Sequence, residues 1–324
     1  MDNDQKIKQL RGIIYSNLAP IIGKKVALFG LPGHGNIGDT YISLGELALL
    51  KEIGAKCIYK KMLIDNTRKL PELPHDCTVL IQGGGDFGDV WRGIQEARLA
   101  VIKKYKNHQI IIFPQTVFYQ DEVNLISDAK LLNECPNLTI CARDNISYDI
   151  LSKSFKNNIL LIPDMAFFIP VNQLRKYMRN AGKVRLYLKR IDKELGKNEV
   201  YSEQLNQDVQ DWPTAQNKQF IIRLQLLLVG ITDAFYLRRM FFISEIFRKI
   251  SLYYLEKILY PYISKVGVRF LSSYKYISVT RMHAAILAVL LNKPVEIVNN
   301  SYGKNKGYYD TWLSDVNTVE LKTN

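Results

Sequence analysis

The chain has 324 residues, about 47% of them apolar, enough for two domains of ordinary size with buried cores. Lysine and arginine total 44 against 31 aspartates and glutamates; the net charge of +13 favours anionic partners such as nucleic acid, a membrane surface or phosphorylated substrates. Four scattered cysteines (Cys57, Cys77, Cys135, Cys141) without C-x-x-C spacing, and only four histidines, argue against structural zinc and for reduced, buried thiols, so no metal site is expected.

In chain order, MDNDQKIKQLRG mixes charges and is not expected to be a secretory signal. No run of about 18 uninterrupted apolar residues occurs, so no spanning helix is expected. Short apolar runs predict strands near 25–30, 56–60, 78–82, 109–113, 138–141 and 159–162. Helices are predicted between them near 39–53, 92–107, 122–133 and 144–153. This alternation implies an α/β fold with a parallel sheet covered on both faces. The rhythm changes after Pro163-Asp164-Met165. Residues 183–219 are polar and read as a surface loop or linker, with one strand at 184–188. Residues 220–275 are apolar, aromatic and basic. A strand at Tyr276–Val279, a helix from about Arg281 to Leu291 and a strand at Val295–Val298 then resume the pattern. The expected division is an N-terminal Rossmann-like domain over 1–170 and a C-terminal one over 171–305. A tail, 306–324, is expected to pack back on the N-terminal domain.

Gly33-His34-Gly35-Asn36-Ile37-Gly38 matches G-x-G-x-x-G after the first strand. A second glycine loop, Gly83-Gly84-Gly85-Asp86, follows the third strand. Ligands of open α/β sheets sit at such strand ends, where glycines let backbone N–H groups approach an anion. NAD(P) fits poorly, because the second strand should end in an acid and instead runs into Tyr59-Lys60-Lys61, with Asp65 later. Tight turns without a ligand are the other alternative. Substrate-binding candidates are therefore Gly35, Asn36, Gly38, Asp39, Gly83, Gly84, Gly85 and Asp86. To these are added Gln115 after the fourth strand, and Arg143 and Asp144 after the fifth. Arg143 could hold a carboxylate or phosphate with two parallel hydrogen bonds, or simply pair with an acid at a helix start.

Thr280-Arg281-Met282-His283 lies where a short strand turns into an Ala/Leu-rich helix. Arg281 and His283 there could meet an anionic substrate and move a proton, so both are the catalytic candidates. Asn300, Ser301, Tyr302 and Lys304 form a further strand-end loop able to hold phosphate, or a plain surface turn.

The ordered motifs GHGNIGDTYI, IQGGGDFGDVW, FPQT, ARD, PDMAF, TRMHAAILAVLLNKP and NNSYGK resemble the polysaccharide pyruvyl transferase family. They run from about residue 30 to 310, outside 180–270. The family's histidine motif carries an acid between Thr and Arg; here Thr280 directly precedes Arg281. The resemblance implies two Rossmann-like halves facing a cleft, similar to GT-B glycosyltransferases. It implies phosphoenolpyruvate as co-substrate, no cofactor, and a polysaccharide-precursor sugar as acceptor, giving a pyruvate ketal. His283 would be the acid that protonates the methylene carbon, with Arg281 and Lys304 neutralising the carboxylate and phosphate. A glycosyltransferase of similar architecture using a nucleotide sugar is the alternative, as is a non-catalytic scaffold.

Within 220–275, nine Lys/Arg stand against three Asp/Glu, and Arg238, Glu245, Lys249 and Glu256 recur at steps of 7, 4 and 7, predicting one polar stripe on a helix. A basic rim around apolar surface suits an anionic membrane face and a lipid-linked oligosaccharide acceptor; a helix packed in the second domain or against another subunit is the alternative. The protein is expected to be cytoplasmic and peripheral on the inner face of the membrane. Nucleic acid is not expected, because the basic residues cluster with aliphatics and no nucleic-acid motif occurs.

Overall fold

The structure, a computed structural model, describes residues 1–62, 70–190, 207–299 and 303–322. Its first sheet is built from β1 (Lys25–Leu31), β2 (Lys56–Met62), β3 (Cys77–Ile81), β4 (Gly84–Gly88), β5 (Ile110–Phe118), β6 (Leu138–Ala142) and β7 (Asn158–Leu161). The order is β2-β1-β3-β5-β6-β7, and the pairings are parallel. β4 continues β3 along the same edge of β5, which pairs β3 through Ile110–Ile112 and β4 from Gln115 onward. Pro114, which has no N–H to give a ladder, falls where the register shifts. Four of the parallel connections carry helices: α2 (Ile37–Glu52), α3 (Arg92–Lys104), α4 (Glu122–Asn133) and α5 (Asn145–Ser154). Alternate residues of β1 enter different cores, Val26 and Leu28 on one face and Ala27 and Phe29 on the other.

The second sheet holds β8 (Lys183–Leu188), β9 (Gln207–Gln210), β10 (Tyr274–Val279), β11 (Val295–Val298) and β12 (Val319–Lys322). It is parallel, in the order β12-β11-β10-β8-β9. The fold is thus α/β with Rossmann-like parallel sheets. Gln207–Gln210, expected in a linker, is the edge strand of this sheet among the described residues, a position that tolerates a polar sequence. The chain end is likewise a strand rather than a simple tail, since β12 pairs with β11. Before it, helix α11 (Lys304–Tyr308) and the turn that follows do reach the first half: Asn145 N–H donates to Thr311 Oγ1 at 3.1 Å, and Trp312 Nε1 donates to the Arg143 carbonyl at 2.8 Å.

Helix α1 (Asn3–Leu18) precedes the first sheet, yet its start is tied to the second half. The terminal ammonium donates to Asp315 O at 2.7 Å, Lys6 pairs with Asp315 at 2.8 Å, and Asn3 donates to the carbonyl of Val289 in α10 (Met282–Leu290). Asp2 caps the helix, and the Gln5 side chain accepts from the Asp2 N–H in return. A short 3₁₀ turn (Met165–Phe168) and helix α6 (Val171–Arg175) link the two sheets. Gly45 of α2 sits so close to that turn that a Cβ would overlap the Met165 carbonyl.

Residues 220–272 form α7 (Phe220–Leu237), α8 (Phe241–Tyr254) and α9 (Tyr260–Ser272). α7 and α8 pack as a hairpin, with Arg239 at φ 60° turning the chain. Arg238 therefore ends one helix while Glu245 lies on the next, and the stripe predicted to join them is broken by that left-handed turn. A wide turn, Leu255–Leu259, carries α8 into α9 just ahead of Pro261, whose missing N–H interrupts the ladder. α7 is long and apolar enough, by length and composition, to cross a membrane, although Arg223 and Asp233 interrupt its apolar run.

Candidate active site

The strand order reverses between β1 and β3, and a crevice opens at their carboxyl ends, as expected at a topological switch point. A cleft of about 1120 Å³ lies there. The first sheet's loops give it Asn36, Gly38, Asp39, Gly85, Asp86 and Arg143; the second sheet's give Arg190, Arg281, His283 and Lys304. The two glycine loops are braced together. Gln82 donates to the Asp39 carbonyl and to Ser43 Oγ, the Gly83 N–H donates to Glu46 Oε1 at 2.8 Å, and Gln115 donates to the Gln82 carbonyl at 2.7 Å. Glu46 is fully buried, and burial pushes its carboxyl well above the ordinary range against the Gly83 hydrogen bond.

Three residues form a chain across the floor. Arg143 Nη1 donates to Asp164 Oδ2 at 2.7 Å, and His283 Nε2 lies 3.2 Å from the same oxygen. Arg143 and Asp164 are buried, while the His283 side chain is 15% exposed. Burial would push the Asp164 carboxyl up. The His283 ring, the Arg143 guanidinium and the Ala166 N–H outweigh it and hold the carboxyl well below the usual carboxylate range. Asp164 also starts the 3₁₀ turn by accepting from Ala166 N–H. His283 lies in the first turn of α10, and its ring rests on Gly38, where a Cβ would come within 2.5 Å of Nδ1. Only glycine admits the imidazole at that point.

Across the cleft, a Cβ on Gly85 would overlap Lys304 Nζ and come within 2.8 Å of Arg143 Nη2, so both cations reach over the same bare backbone. Arg143 Nη2 is buried and has no hydrogen-bond partner. A buried donor left in this state is costly, and a carboxylate or phosphate oxygen would satisfy it. Arg281 is clamped by Asp211, with Nε to Oδ1 at 2.5 Å and Nη2 to Oδ2 at 2.6 Å. An acid distant in the chain thus stands beside the arginine of the Thr-Arg-x-His motif.

The structure gathers Asn36, Gly38, Asp39, Gly85, Asp86, Arg143, Lys304, Arg281 and His283 around this cleft. It does not place Gly35, Gly83, Gly84, Gln115 or Asp144 on the lining. Gly35 packs on Thr214 and donates to Asn217 Oδ1 at 2.7 Å. Gly83 and Gln115 brace the loops, and Gly84 begins β4. Asp144 caps α5 by accepting from Ser147 N–H, and its other oxygen accepts from Thr116 Oγ1. Asn300, Ser301 and Tyr302 lie outside the described residues. Sequence reasoning set Asp164 on the strand-end rim without giving it a role, and passed over Asp211, Trp212, Asn217 and Trp91. Asp164 stood in a quoted motif, but nothing local marks its partner 119 residues away.

These features define a Rossmann-like α/β protein whose cleft can hold a small polyanion beside an imidazole. The family model for polysaccharide pyruvyl transferase matches residues 36–302. Among similar proteins, "Putative pyruvyl transferase EpsO" of Bacillus subtilis is 32% identical over 94% of this chain and 91% of its own length. "Pyruvyl transferase 1" of Schizosaccharomyces pombe is 30% identical over 90% of this chain and 70% of its own. A crystal structure of an uncharacterized Klebsiella pneumoniae protein superposes with TM-score 0.60 at 19% identity, over 98% of each chain, which supports the fold. The chain belongs to the polysaccharide pyruvyl transferase family and is an enzyme that transfers pyruvyl.

Proposed function

We propose that the enzyme transfers the pyruvyl group of phosphoenolpyruvate to a sugar of a lipid-linked surface-polysaccharide precursor, forming a pyruvate ketal and releasing phosphate. The observation that carries this reading is the unsatisfied, buried Arg143 Nη2 converging with Lys304 over Gly85 in the cleft that holds His283. Phosphoenolpyruvate carries a carboxylate and a phosphate close together, and this cluster suits two adjacent anions. In this reading the chain divides near residue 170 into two halves that face the cleft in a GT-B-like arrangement. The work takes place on the cytoplasmic side, and no cofactor beyond the co-substrate is called for.

His283, braced at Nε2 by Asp164, gives a proton to the methylene carbon. The neighbouring carbon then becomes an oxocarbenium-like electrophile. One sugar hydroxyl adds to it, and its proton returns to the imidazole. A second hydroxyl displaces phosphate, which departs with the second proton, closing the ketal. Arg143, Lys304 and Arg281 offset the negative charge on the donor. Trp91, exposed on the lining, offers an apolar surface to a sugar ring.

The test is incubation of the purified protein with phosphoenolpyruvate and a panel of lipid-linked oligosaccharides, read by phosphate release and mass spectrometry. The expected outcome is a pyruvylated acceptor, abolished in His283→Ala and Arg143→Ala. Phosphate release unchanged in His283→Ala would refute the assignment of the acid. A nucleotide-sugar donor would instead raise the melting temperature with UDP or GDP, and no such rise is expected.

A further inference from the structure

The hairpin of α7 and α8 is built inside out. Its buried positions recur at steps of three and four: Ile222, Gln225, Val229 and Thr232 on α7, and Ser244, Arg248 and Ser251 on α8. Five of these seven are polar. They bond within the hairpin and to its neighbours: Gln225 donates to Ser251 Oγ at 3.0 Å, Ser244 donates to the Thr232 carbonyl at 2.7 Å, and Arg248 donates to the Lys60 carbonyl at 2.9 Å. The outward positions are apolar. Phe220 is 77% exposed, Leu227 57%, Leu237 69%, Phe242 79% and Tyr253 65%, with Phe241, Ile246, Ile250 and Ile258 also exposed. A helix pair in water places these classes the other way round. Apolar surface of this extent marks an interaction site.

The charges choose the partner. Between Phe220 and Ile258 every exposed charged residue is cationic: Arg223, Arg238, Arg239, Lys249 and Lys257. The three acids of this stretch, Asp233, Glu245 and Glu256, are partly buried, with Glu245 held by Arg248 and Glu256 by Lys60. A second copy docked on this face would bring like charges together, which opposes self-association. Anionic lipid headgroups complement them. A groove of about 620 Å³ between β2 and α8 adds Lys249, Lys257 and Tyr253 to one wall. The apolar positions run along both helices and do not stop at the Arg238–Arg239 tip, so the hairpin lies flat in the interface.

We propose that the outer face of the α7–α8 hairpin docks on an anionic bilayer as a monotopic membrane anchor. The inference is independent of the donor and acceptor assigned above, and its test contains no reaction. The full chain is floated with vesicles of phosphatidylcholine alone or with one-third phosphatidylglycerol added. Flotation with the anionic vesicles is expected. Phe242→Asp combined with Ile250→Asp should abolish it while leaving the melting temperature unchanged, because both side chains face outward. The triple variant Arg223→Gln, Lys249→Gln, Lys257→Gln should weaken binding to anionic vesicles roughly a hundredfold. No flotation with anionic vesicles would overturn the proposal, as would equal flotation of the double aspartate variant. A dimer that this variant dissolves and vesicles do not would assign the face to a second copy instead.

Discussion

Replacing Asp164 by Asn keeps the shape of the side chain and removes the charge that one oxygen shares between Arg143 and His283. Arg143 is fully buried, and its other side-chain partner is the Thr116 hydroxyl at 2.8 Å. Breaking a buried pair while keeping one charge costs about 3–5 kcal/mol. The unfolding entropy of a chain this long is roughly 0.7 kcal/mol per degree, so the melting temperature should fall by roughly 4–7 °C. Inorganic phosphate should recover part of that loss by binding the stranded guanidinium. Phosphate release from phosphoenolpyruvate should drop at least about a hundredfold, because the imidazole loses its brace. The pH dependence carries a sign. The Asp164 carboxyl is held below its ordinary 3.8, so its contribution is present above that value and disappears as pH falls beneath it. Differential scanning fluorimetry across that range should show a flatter acid limb in the variant. An Asp164→Asn variant that melts within about 1 °C of the native protein and releases phosphate at the native rate would refute the reasoning.

Three further outcomes follow from the same geometry. Gly38→Ala introduces a Cβ within 2.5 Å of His283 Nδ1, so the ring must shift off Asp164; turnover should fall about a hundredfold and the melting temperature should fall with it, because the clash outweighs the gain in helix propensity in α2. Glu46 has a carboxyl raised above its ordinary 4.5, so native stability declines as pH rises through the range above that value, and urea midpoints of Glu46→Gln should show a shallower decline. Lys304→Met should raise KM for phosphoenolpyruvate by at least about tenfold in steady-state assays and weaken protection by inorganic phosphate, leaving the fold intact.

Much of the fold was legible because parallel strands buried on both faces leave compact apolar runs, such as Val26–Leu28 and Ile110–Phe113, that need no partner to be recognised. β4 was not, because Gly84-Gly85-Asp86-Phe87-Gly88 carries every local mark of a loop and becomes a strand only by lying along the second half of β5. Helix α1 was hidden because its first residues are polar and its apolar positions, Ile7, Leu10, Ile14 and Leu18, emerge only at helical spacing. At the site, residue types that meet anions were recognisable at strand ends, whereas the pairing of the carboxylates that brace them was not. Asp164 and Asp211 reach His283 and Arg281 across 119 and 70 residues. Gln115 and Asp144 share the composition of ligand-binding residues and instead brace a loop and cap a helix.

The carboxylate that steadies His283 belongs to the first sheet's terminus, and the ring itself to the second sheet's α10. The two sheets share one hydrophobic core, so packing, rather than a ligand, sets the spacing between the imidazole and its carboxylate. Packing far from the cleft thereby sets the orientation of the ring that faces it.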